Sequence, residues 1–93
     1  MKPVRVYSAE WCPFCRRARS LLDRKGVRYQ VVDVDGDLDK RRWLADVTGQ
    51  RTIPQIFIGD EAIGGYTELL GLEMEGVLET LLDEPAPVPD ASP

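Results

Sequence analysis

The chain has no histidine, only two cysteines and, from Asp60 onward, no lysine or arginine. Each shortage removes a class of function. A structural zinc site takes about four nitrogen or sulfur ligands, and two cysteines without histidine do not supply them within one chain. No apolar run approaches the ~20 residues of a membrane-spanning helix. Met1-Lys2-Pro3 leads straight into an extended VRVY stretch, which leaves no room for a secretory leader. The expectation is a cytoplasmic protein with no membrane partner. Internal repeats and a second domain are also missing from its 93 residues.

Positive charge is gathered at the amino-terminal end. Residues 1–28 carry eight Lys or Arg against two acidic groups, residues 29–59 balance to −1, and residues 60–93 carry nine carboxylates, for a net charge of −4. The basic segment is short and helical, so the composition is not that of a nucleic-acid binder. It offers a positive rim to an anionic small molecule or an acidic protein patch. For most of these charges the plainer reading is a solvated surface.

Val4 and Val6 alternate with Arg5 and Tyr7, the period of a strand. Pro13 suits the first turn of a helix, where its missing N–H costs nothing. Phe14, Ala18, Leu21 and Leu22 follow at helical spacing, and Gly26 stops the helix. VRYQVVDV (27–34) predicts a second strand, parallel to the first through a right-handed βαβ crossover. Asp37 caps a second helix with apolar positions Leu38, Trp43, Leu44 and Val47, ending at Gly49. QIFI and EAI around Gly59-Asp60 predict a tight hairpin. Thr67 is the expected cap of the last helix, with Leu70, Met74, Val77, Leu78 and Leu81 as its stripe and a break near Gly76. Residues 83–93, with four prolines and no basic group, predict a disordered acidic tail behind a single domain of residues 1–82. The order β-α-β-α-β-β-α implies an α/β fold with a mixed four-stranded sheet flanked by helices.

Both thiols lie in WCPFC, residues 11–15. Cys12 falls at the end of a strand and at the cap of the helix that begins at Pro13. The N–H groups of Phe14 and Cys15 are expected to point at its sulfur, and the helix terminus favours an anion there. Such surroundings lower a cysteine pKa from about 8.5 into the range of roughly 3.5–7.5. Arg16 and Arg17 occupy early turns, where a cation is unfavourable by about 0.3–1 kcal/mol. At least one of them, or Arg51, is expected to help hold Cys12 as thiolate, with Glu10 acting the other way. A structural disulfide closing so short a loop would stabilise weakly, and two inert buried cysteines would fit the spacing. The strand–CPFC–helix context inside a βαβ unit favours redox chemistry.

With these residues in place, the chain resembles the glutaredoxins, in particular the small bacterial dithiol kind. WCPFC is similar to that family's CPYC site, RTIPQIFI (51–58) to its TVP segment and following strand, and GGYTE (64–68) to its GGYTD turn. The resemblance spans residues 3–82 in matching order. It implies a thioredoxin fold with a cis peptide before Pro54. It also implies a monomeric, glutathione-dependent disulfide oxidoreductase acting on disulfide-containing or glutathionylated proteins, with no metal. Cys12 would be the nucleophile and Cys15 the resolving thiol. The glutathione groove would comprise Cys12, Phe14, Arg51, Thr52, Ile53, Pro54, Gly65, Tyr66, Thr67 and Glu68. Within it the Ile53 backbone would pair with the cysteinyl unit, Thr67 and Glu68 would hold the γ-glutamyl end, and Arg51 the glycine carboxylate. Each has a plainer role open to it: Thr67 as a helix cap, Gly64-Gly65 as a turn, Tyr66 as packing, Arg51 as a solvated charge.

Ala9 stands where many members carry a basic residue, and Glu68 replaces a shorter aspartate. With Glu10, Ala9 keeps open an electron donor of the ribonucleotide-reductase type, recycled by thioredoxin reductase; GGYTE points away from it. A carrier of a [2Fe–2S] cluster bridged between protomers is a further alternative, disfavoured by Pro13. So is an interaction module whose CxxC is inert.

Overall fold

In the computed structural model, which describes residues 1–83, the alternation of Val4 and Val6 becomes β1 (Val4–Ser8), and Pro13 opens α1 (Pro13–Arg24). There follow β2 (Gln30–Asp33), α2 (Leu38–Thr48), β3 (Gln55–Ile58), β4 (Glu61–Gly64), α3 (Tyr66–Met74) and α4 (Leu78–Leu82). The expected order holds, with the last helix divided at Gly76, whose φ is 74°. The tail expected at 83–93 lies, from residue 84, outside the described residues.

The sheet order is β2-β1-β3-β4. β1 and β2 run parallel, whereas β3 is antiparallel to both β1 and β4. The carboxyl ends of β1 and β2 and the amino end of β3 therefore meet at one end of the sheet, and that end carries the site.

Two apolar layers cover the sheet. On one side Val4, Val6, Ile56 and Ile58 pack with Ala18, Leu21 and Leu22 of α1, Leu69 of α3 and Leu78 and Leu82 of α4. Burying one such leucine contributes roughly 1.5–3 kcal/mol. On the other side Tyr7, Val34, Leu44 and Phe57 form a smaller layer under α2. There Trp43, 44% exposed, stacks on Phe57 at 6.3 Å and 22° and on Tyr7 at 5.7 Å.

Three details correct the reading of the stripes and strands. The β2 strand is shorter than 27–34, because the Val27 N–H closes α1 by donating to the Leu22 carbonyl at 3.0 Å. In α2 only Leu44 of the expected stripe is buried; Leu38 and Val47 are exposed. Of the C-terminal stripe, Leu70, Leu78 and Leu81 pack on the core as expected, joined by Leu69 and Leu82, whereas Met74 and Val77, on either side of the break at Gly76, are exposed.

Lys25, just beyond α1, ties three helices together. Its Nζ pairs with the Glu73 carboxylate of α3 at 2.8 Å and with Glu79 of α4. Bonds to Glu73 and then Glu79 raise the Lys25 pKa, and the bond from Lys25 lowers that of Glu79. The Glu79 part of this stabilisation is lost as pH falls through its depressed pKa, and the Lys25 part as pH rises through its elevated one. Glu79 keeps considerable water contact, so the contribution is modest. Lys25→Met is expected to lower Tm at neutral pH and to flatten the fall of Tm below the ordinary glutamate range. Thermal melts from pH 3 to 7 check this; a wild-type acid slope in the variant would refute it.

Candidate active site

Cys12 is the N-cap of α1, and its sulfur accepts the Cys15 N–H at 3.2 Å. Pro13 follows at the first helical position, where it leaves no donor unsatisfied. The expected second donor, the Phe14 N–H, is not bonded to the sulfur. The Cys12 thiol instead lies 3.8 Å from the Ile53 carbonyl, to which it donates. The loop before it is closed by the Cys12 N–H bonding the Ala9 carbonyl at 3.2 Å. Both cysteines are free thiols, 4% and 0% exposed. Burial pushes the Cys15 thiol up, contact with Cys12 adds to this, and hydrogen bonds from Ala9 and Ser8 act against it.

The predicted binding residues largely converge. Phe14, Thr52, Ile53, Pro54, Gly65, Tyr66, Thr67 and Glu68 line one groove of about 200 Å³. The Ile53–Pro54 peptide is cis. The Phe14 and Tyr66 rings face each other at 6.3 Å, and the Arg17 guanidinium lies 5.3 Å over the Phe14 ring. Phe14, expected in the helix stripe, is thus 51% exposed because it belongs to the groove. Of the expected set, Cys12 borders this groove through its contact with Ile53 and does not line it, and Arg51 is not among the lining residues. It borders a separate depression beside α2, with Leu38, Arg41 and Asp46. Among the described residues no hydrogen bond or ion pair joins Arg16, Arg17 or Arg51 to the Cys12 sulfur.

Gly65, not Thr67, caps α3. The Glu68 side chain reaches back to accept the Gly65 N–H at 2.6 Å, the return half of a capping box. The Thr67 hydroxyl is thereby left exposed at the second helical position. The N–H groups of Tyr66, Thr67 and Glu68 precede the first intrahelical bond, from Leu69 to Gly65, and make this an electropositive helix end, which favours negative charge.

Two residues unremarked in the sequence support the site. Gln55, fully buried, donates through Nε2 to Gln50 Oε1 at 2.9 Å and to the Thr52 carbonyl at 3.0 Å, pinning the loop that presents Ile53. Its Oε1 has no hydrogen-bond partner among the described residues. The clue was a glutamine inside an otherwise apolar strand. Asp35, after β2, accepts the Trp11 indole N–H at 3.1 Å; no local pattern signals that pair.

Two reduced thiols at a helix cap, facing a cis-proline loop at the end of this mixed sheet, define a protein of the thioredoxin fold with a dithiol site. The Glutaredoxin family model matches residues 4–63. A glutaredoxin of Pseudomonas aeruginosa is 46% identical over 82 residues, covering 88% of this chain and 98% of that protein. Glutaredoxin 3 of Escherichia coli K12 is 43% identical, covering 88% and 99%. The crystal structure of a buckwheat glutaredoxin–glutathione complex superposes with a TM-score of 0.81 at 36% identity, covering 87% and 76%. The chain belongs to the glutaredoxin family, and its activity is that of a thiol–disulfide oxidoreductase.

Gly64 has φ of 113°, and a Cβ there would lie 2.9 Å from Glu68 Cγ and Oε1. Gly64→Ala is therefore expected to cost about 1–3 kcal/mol from backbone strain and to displace Glu68 from Gly65. Urea unfolding measures the loss; an unchanged midpoint would refute the account.

Proposed function

We propose that the protein reduces protein disulfides and glutathione mixed disulfides, with Cys12 as nucleophile, Cys15 as resolving thiol and glutathione as the electron source. The observation that carries this reading is the groove: eight residues expected to hold glutathione line one depression, and Ile53 within it lies against the Cys12 sulfur.

In this reading the Cys12 thiolate attacks one substrate sulfur in line, and the other leaves as a thiolate that takes up a proton. Cys15 then loses its proton and attacks Cys12 Sγ, expelling the second substrate thiolate. Two electrons have passed to the substrate, and Cys12 and Cys15 are joined. Glutathione, as second substrate, supplies the thiols that reverse this oxidation.

The chain's own residues orient that tripeptide. The Ile53 backbone offers strand-like pairing, and the Phe14 and Tyr66 rings offer apolar walls. Thr67 and the first N–H groups of α3 suit a carboxylate. Glu68 spends one oxygen on Gly65 and keeps the other for an amine. Arg51 adjoins Thr52 and serves the glycine carboxylate by swinging away from α2.

The test oxidises the protein and measures recovery of the dithiol. Fast recovery with glutathione, glutathione reductase and NADPH is expected. Recovery only with thioredoxin reductase and NADPH would overturn glutathione dependence. Cys12→Ser is expected to abolish all activity, and Cys15→Ser to retain deglutathionylation while losing dithiol reduction; loss of both in the second variant refutes the division of roles. Because burial holds the Cys15 pKa up, resolution of a Cys12 mixed disulfide should accelerate as pH rises through and above the ordinary thiol range. Stopped-flow release of a labelled peptide measures that profile, and a pH-independent release would contradict the assignment.

A further inference from the structure

The groove occupies one flank of Cys12. The sheet order β2-β1-β3-β4 places the loop after β1, which carries Cys12, between the Ile53–Pro54 loop on the β3 side and the turn after β2 on the other. That second flank is also built. Trp11, immediately before Cys12, is 60% exposed, and its indole N–H is held by Asp35 at 3.1 Å across 24 residues of sequence. Asp35 is itself fixed, since its own N–H is accepted by the Asp33 carboxylate at 2.9 Å. An aromatic ring with its polar atom already bonded presents a flat apolar surface with little ordering left to pay for on binding. The charged residues of these two loops are of one sign, with Arg16 and Arg17 lying beyond them in the first turns of α1. Glu10 adjoins Trp11 in sequence, Asp33 ends β2 and Asp35 lies in the turn after it; all three are exposed, and none is in an ion pair among the described residues.

We propose that Trp11 and the Glu10–Asp33–Asp35 carboxylates form a docking surface for the polypeptide of the substrate, selecting disulfides flanked by lysine or arginine. The inference deepens the reading of Cys12 as nucleophile and does not need the glutathione groove. A substrate sulfur seated at Cys12 brings its flanking residues over the loops on either side. The β2-side loops meet a cationic chain with carboxylates and its aliphatic or aromatic parts with the indole. Asp37 and Lys40, further along, neutralise one another and add no competing charge.

The test is a single turnover without any added reductant. Fully reduced protein is mixed with a fluorescence-dequenching peptide disulfide flanked by lysines, or with its glutamate-flanked counterpart. The dithiol donates two electrons to the peptide, the Cys12–Cys15 disulfide forms, and two peptide thiols leave with their protons. Glutathione takes no part, so a failure of the glutathione reading leaves this assay intact. The lysine peptide is expected to react about tenfold faster than the glutamate peptide at low salt, with the difference shrinking as salt is added. Trp11→Ala should slow the lysine peptide about tenfold and the glutamate peptide far less. Asp35→Asn keeps an acceptor for the indole while removing the charge, and should reduce the preference without changing near-ultraviolet circular dichroism. Equal rates for the two peptides in the wild type, or an equal loss for both in Trp11→Ala, would overturn the proposal; the second result would mean that Trp11 acts on the sulfur and not on the substrate chain.

Discussion

The hydrogen bond from the Cys15 N–H to the Cys12 sulfur links the start of a helix to the chemistry of the site. Cys12 does what serine or aspartate does at many helix starts: it accepts a backbone donor that the helix cannot satisfy internally. Pro13 removes the need for a second acceptor, and the Cys12 carbonyl takes the first intrahelical bond from Arg16 at 3.2 Å. The Cys12 sulfur is thereby held in place by the secondary structure itself. In the proposed reaction that sulfur exchanges one acceptor role for a covalent bond.

Everything else at the site is arranged around that fixed atom by three loops at one end of the sheet. The loop before β3 is held from beneath by the buried Gln55 carboxamide, which donates to Gln50 and to the Thr52 carbonyl. The turn between β4 and α3 is kept open by two glycines, the first in a left-handed conformation and the second close to the Pro54 carbonyl. The third loop brings Asp35 to Trp11.

Much of this was legible in the residues themselves. The caps at Cys12, Asp37 and Gly49, the hairpin at Gly59-Asp60 and the break at Gly76 each rest on local chemistry, and each appears in the fold. The groove was legible only through the resemblance to glutaredoxins, because Phe14, Ile53 and Tyr66 meet through the sheet order, which no local pattern carries. Helical phase was less legible. Phe14 fits the stripe of α1 yet turns outward to Tyr66, and in α3 and α4 the expected stripe holds at Leu70, Leu78 and Leu81 but fails at Met74 and Val77, which flank the break at Gly76. In α2 the aromatic stack of Trp43 on Tyr7 and Phe57 does the work that a run of buried leucines would do elsewhere. Its hydrophobic signature in the sequence is weak for that reason.

The sheet has two open margins, β2 and β4, each of four residues. A strand margin is a template on which other chains can add, and short, charged or irregular edges discourage this. Here β2 ends in Asp33, β4 begins with Glu61, and the β3–β4 pairing shifts register between Ile56 and Phe57. Val31, 44% exposed on β2, is bounded in the strand by Gln30 and Asp33 and has no long apolar neighbour run to extend. Such edges offer an extended chain little to pair with, so a polypeptide brought to the thiol end of the sheet finds no template along its margins.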